Sequence, residues 1–194
     1  MEPVTEPPPP APRPASPECR TLRHPATDRR RAIEDWLLST HPAPGRARRE
    51  WQEYKVALVP LGKLFAAVRI PGQVLHGLAG SAEWGEVDAF LDDVLDGGAA
   101  ICDPHGPRYY VLVPAGMPAA WGQAAEAWRT VLGACVLGRD TYLGVPRVTE
   151  VDFTPRACVS YWAVPMTSPA ALCAPLGVAR LLTDAWKARV DPEF

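Results

Sequence analysis

The chain has 194 residues, 47% of them apolar, and a formal net charge of −2. That balance is ordinary for a globular fold and excludes a strongly basic nucleic-acid binder and an acidic tail. No apolar run approaches the roughly 20 residues of a membrane span. The N-terminus has no basic region followed by an apolar one, so the reading predicts a cytoplasmic protein without membrane contact.

Residues 1–17 contain eight prolines, including Pro7–Pro10. Proline lacks the amide hydrogen that helix and central strand require, so residues 1–19 read as a disordered tail with polyproline II character. Residues 20–50 hold eight arginines against four acids, a local +4 that leaves −6 for the rest of the chain. Residues 20–54 therefore read as an arginine-rich helical segment. A helix is expected over Asp28–Ser39, capped by Thr27 or Asp28, with Ile33, Trp36 and Leu37 as its apolar stripe. The break at Thr40–Gly45 ends it, and for residues 46–54 helix and loop are both open.

From Lys55 the texture changes, and residues 55–190 read as one α+β domain. Val56–Leu61 and Leu64–Ile70 flank Gly62-Lys63, which is a hairpin signal. A short helix over 73–78 is followed by a stronger one over 83–95. In the latter Val87, Phe90, Leu91, Val94 and Leu95 recur on one helical face, and Gly97-Gly98 stops it. Ala99–Cys102, the turn Asp103-Pro104-His105-Gly106 and Arg108–Val113 form a second hairpin. Ala119–Leu132 is helical, 136–148 a short strand with loops, and 158–164 a strand. Ser168-Pro169 reads as a helix start. Leu176–Arg189 is the closing helix, with Leu181, Leu182 and Trp186 inward. Together these predict an α+β fold, a mainly antiparallel sheet of hairpins with helices packed on one face.

Chemistry is carried by few residues. Lys63 at a turn tip suits a phosphate, although no GxxxxGK[ST] loop is present. Asp103 and His105, two apart after a buried strand, suit proton transfer or a metal; the same Asp-Pro-x-Gly spacing also satisfies a type I turn. Residues 139–147 combine Arg139, Asp140 and Tyr142 with glycines in a loop. Arg29, Arg30, Arg31, Arg46, Arg48 and Arg49 offer planar forks to a partner's carboxylates or phosphates. His24, His41 and His76 stand alone, and Trp36, Trp128, Trp162 and Trp186 read as core. The five cysteines have no metal-ligand spacing, so free thiols are expected.

Three short segments carry a family resemblance. Val56–Lys63, Gly106–Leu112 and Tyr161–Pro165 are similar to strands of the bifunctional DNA primase/polymerase N-terminal domain. The chain also resembles small proteins of high-GC actinobacteria. The first resemblance implies nucleotide or nucleic-acid binding, with Lys63, Arg108 and Arg139 at phosphates and Asp103 and His105 holding a divalent metal. It departs from the family's Asp-x-Asp metal motif, since Asp103 is followed by His105 and Asp152 is only a distant second carboxylate. Without that pair the polymerase chemistry is not expected. The reading is therefore a non-catalytic regulatory or interaction protein with a protein partner and no cofactor. The alternative is a degenerate primase/polymerase-like domain that binds nucleotide or nucleic acid.

Overall fold

The computed structural model describes residues 25–190, so the proline-rich tail, Cys19, Arg20, Arg23 and His24 lie outside the described residues. The fold is α+β. Its elements are α1 (Pro25–Leu38), α2 (Pro44–Tyr54), β1 (Val56–Pro60), β2 (Phe65–Pro71), α3 (Gly72–Ala79), α4 (Trp84–Leu95), β3 (Ala100–Asp103), β4 (Arg108–Pro114), α5 (Met117–Leu132), β5 (Cys135–Leu137), β6 (Tyr142–Pro146), β7 (Tyr161–Val164) and α6 (Pro175–Val190). A central antiparallel sheet has the order β5-β2-β4-β3-β7, and β1 and β6 form a separate two-stranded ribbon.

The expected second hairpin is present, with Cys102 opposite Tyr109 and Asp103 opposite Arg108. The expected first one is not. β1 pairs with β6, and β2 pairs with β4 and β5. The difference lies in burial. β1 alternates, with Ala57 and Val59 inward and Leu58 outward, as a half-covered ribbon does. In β2 Phe65–Val68 are all buried, as in a strand covered on both faces. Gly62, at φ +84°, turns the chain from one layer into the other.

Helices pack on both faces of the sheet rather than one. On the first face Val68, Val111 and Ala163 meet α3, α4, α5 and α6. On the second, Phe65, Ala67, Leu112 and Trp162 form one core with Ile33 and Leu37 of α1, Trp51 of α2 and Val59 and Val145 of the ribbon. The arginine-rich segment thus shares its core with the sheet. The inward stripe of α6 is Val178, Leu181, Leu182 and Ala185; Trp186 is 37% exposed, contrary to expectation. Ser168-Pro169 starts a turn, closed by Ala171 N–H to Ser168 O, and α6 begins only at Pro175. The intervening chain places Cys173 against Gly98, where an added Cβ would lie 2.5 Å from Cys173 Sγ.

Candidate functional site

The sequence candidates separate into three places. Lys63 and Arg139 come together. Gly62 packs so closely on Arg139 that a Cβ there would meet its Cγ at 2.6 Å. The two cations line a cleft of about 700 Å³ with Asp140, Pro42, Pro60 and Tyr142. Tyr142 is 59% exposed, so a cationic and an aromatic surface adjoin.

Asp103, His105 and Arg108 lie at the other end of the central sheet. β2 joins the two regions, with Phe65 opposite Pro114 and Pro71 opposite Arg108. Its seven residues separate them by roughly 20 Å. Asp103 Oδ1 accepts the His105 N–H at 3.1 Å and lies 3.7 Å from His105 Nδ1. The carboxylate thus closes the turn. Among the described residues no three His, Cys, Asp or Glu side chains gather as a metal site.

The arginines expected to meet a partner occupy the outer surface of α1 and α2, whose apolar faces are spent on the core. Arg30, Arg31 and Arg48 line a cleft of about 420 Å³ together with Arg147, Glu34 and Asp35. Asp35 accepts Arg48 Nη2 at 2.7 Å and lies 3.9 Å from Arg31 Nε, which holds the guanidinia near one another. Arg46 instead pairs with Glu50 at 2.9 Å and lines a different cleft, beside Leu58 and Tyr142. Arg29 and Arg49 are exposed outside both. Arg147 ends the 139–147 segment singled out by sequence, but it reaches these helices through the ribbon, by its N–H to Lys55 O at 2.8 Å.

One further cation, Arg69, was not singled out by sequence. Arg69, Gln73 and His76 line a cleft of about 460 Å³ with Arg108. Gly72 opens α3 against the β3–β4 turn, its N–H donating to Pro107 O at 2.7 Å. A Cβ on Gly72 would meet Pro107 Cβ at 2.8 Å. Arg69 sits in a strand of apolar residues, and that interruption was the available signal.

The strongest electrostatic perturbation is enclosed. Cys102 stands opposite both Tyr109 and Tyr161 across three strands. Tyr161 O–H donates to Asp88 Oδ2 from α4 at 2.9 Å. Burial raises the Asp88 carboxyl to about 6, against the lowering effect of that hydrogen bond. Burial likewise pushes the Cys102 thiol up to about 12 and raises both tyrosines. Perturbed groups mark sites when they face a cleft; these face the underside of α4, and Cys102, Tyr109 and Tyr161 are almost fully buried. His41 is also structural. The Ala43 N–H can only donate, so His41 Nδ1 accepts it at 2.9 Å and Nε2–H donates to Leu58 O at 3.0 Å.

Compared with known proteins, the chain matches no protein-family model, no curated protein and no solved structure.

Proposed function

We propose that this protein is a non-catalytic interaction domain that docks an acidic protein partner on the outer surface of α1 and α2. The observation that carries this reading is the meeting of Arg30, Arg31, Arg48 and Arg147 around one cleft that holds only two acids, Glu34 and Asp35. Guanidinium forks on a rigid two-helix scaffold suit carboxylates without further chemistry. Among the described residues no helix is long and apolar enough to cross a membrane. Cys102, Cys135, Cys158 and Cys173 are unpaired thiols, which supports a reducing, cytoplasmic setting. The test is anisotropy titration with a fluorescent poly-glutamate peptide. Arg30→Glu/Arg48→Glu is expected to weaken binding about tenfold or more, equivalent to ~1.4 kcal/mol, while Arg180→Glu on α6 leaves it unchanged. Equal binding by all three proteins sinks the reading.

A second reading, a primase/polymerase-like domain that binds nucleic acid, is favoured by the meeting of Lys63 and Arg139 beside exposed Tyr142. Cations at phosphates and an aromatic under a base are the elements of single-strand binding. Short single- and double-stranded DNA, titrated at two salt concentrations with manganese present, tests it. Salt-weakened binding that Lys63→Ala/Arg139→Ala abolishes supports it, because phosphate contacts release counterions. No binding at low salt rejects it. An Asp103→Ala/His105→Ala variant run alongside reports whether the turn takes any part.

A further inference from the structure

The cleft between β2, the β3–β4 turn and α3 holds a partly buried guanidinium with no carboxylate partner among the described residues. Arg69 lies in the middle of the central sheet, opposite Tyr110 on one side and Cys135 on the other. It is only partly exposed, yet its guanidinium Nη2 contacts a thiol, Cys135 Sγ, at 3.1 Å. Sulfur is a weak acceptor. No described carboxylate lies within 4 Å of either Arg69 or Arg108. Charges withdrawn from water are normally paired, because desolvation without a partner is costly.

Further groups border the same space. Arg108 lines it, and the register places Arg69 and Arg108 on neighbouring strands, one diagonal step apart on the same face. His76 lines it too, with its ring packed edge-on against Trp84, centroids 6.5 Å apart. α3 begins here and α5 ends here at Gly133, so the two helix dipoles oppose each other and the cationic side chains set the field. The cleft is lined by no aspartate or glutamate. Asp103 stands opposite Arg108 but turns Oδ1 to the His105 N–H and does not line the cleft.

We propose that this cleft is an oxyanion site that takes a phosphate group, held between the forks of Arg69 and Arg108 with Gln73 at its side. Planar guanidinium forks match phosphate oxygens two at a time. The volume of about 460 Å³ exceeds a bare phosphate and leaves room for a small organic group. The site is independent of both readings above: it shares Arg108 with the set expected at nucleic-acid phosphates but none of the cleft formed by Lys63, Arg139 and Tyr142.

The test is isothermal titration calorimetry of the full chain with inorganic phosphate and with glycerol phosphate, in a buffer free of other multivalent anions. Saturable binding is expected. Arg108→Gln, at an exposed position, is expected to weaken it about tenfold. Lys63→Gln/Arg139→Gln binds as the parent does. Tighter binding of the ester assigns a phosphate ester as the ligand; equal or weaker binding assigns the free anion. Absence of saturable binding up to about 10 mM overturns the proposal. So does binding that survives Arg108→Gln but is lost in Lys63→Gln/Arg139→Gln.

Discussion

Single residues in this fold act mainly by closing groups that would otherwise be exposed or strained. His41 is an instance. β1 bonds on one side to β6, and the backbone of Leu58 faces the free edge, where His41 caps its carbonyl and Glu50 Oε2 accepts its N–H at 3.4 Å. Unpaired strand edges invite association. His41→Ala is expected to cost about 1 kcal/mol in urea denaturation and to increase light scattering on heating. Asp88 acts in the opposite sense. Its folded value of about 6 lies above the ordinary 3.8, so the native state holds the proton more tightly than the unfolded chain. Its stabilising contribution is complete below about pH 4 and is lost as pH rises through about 6. The carboxylate is partly exposed, so the loss is on the order of 1 kcal/mol after allowance for screening. Asp88→Asn, which keeps an acceptor for Tyr161, is expected to flatten this dependence between pH 4 and pH 7. An unchanged pH profile would contradict the burial argument.

Among elements, the helices α1 and α2 are structural before they are functional. They cover Phe65, Ala67, Leu112 and Trp162, each buried on the second face of the sheet. Fully burying one large apolar side chain contributes about 1.5–3 kcal/mol, so removing this layer exposes more than a marginally stable fold can lose. A chain beginning at Lys55 is expected to lack a cooperative thermal transition and to bind a hydrophobic dye. If it instead melts cooperatively, residues 25–54 are an appendage. Within this layer Trp51 also donates its indole N–H to Val145 O at 2.9 Å, joining α2 to the ribbon. Trp51→Phe removes that bond and leaves a cavity at a buried position. It is expected to cost about 2 kcal/mol, measurable as a lowered urea midpoint.

For the whole molecule, the distribution of thiols reports on intactness. Cys102 and Cys173 are buried, and burial raises both to about 12. Thiolate is the reactive form, so both are inert in the folded protein. Cys135 and Cys158 are partly exposed. Native-state alkylation read by mass spectrometry is expected to modify Cys135 and Cys158 while sparing Cys102 and Cys173 until denaturant is added. Modification of Cys102 without unfolding would show that the layer under α4 opens.

Local pattern was sufficient for the elements. The stripe of Val87, Leu91 and Leu95 predicted α4, and the Asp-Pro-x-Gly turn predicted the β3–β4 hairpin, because helix periodicity and turn chemistry act within a few residues. Local pattern failed where the partner lay far along the chain. β1 and β2 flank a turn that suits a hairpin, yet β1 pairs with a strand about 85 residues later, a choice made by which faces must be buried. The same holds for the sites. Composition marked the arginines of α1 and α2, and it marked Lys63 and Arg139, but it had no means to group them. Arg147 joins Arg30, Arg31 and Arg48 through strand register, Lys63 meets Arg139 through the close packing at Gly62, and Arg69 meets Arg108 across neighbouring strands. The sequence by itself determined which charges exist and which elements carry them. Only the tertiary structure decided which charges share a cleft, because that depends on strand pairing between segments far apart in the chain.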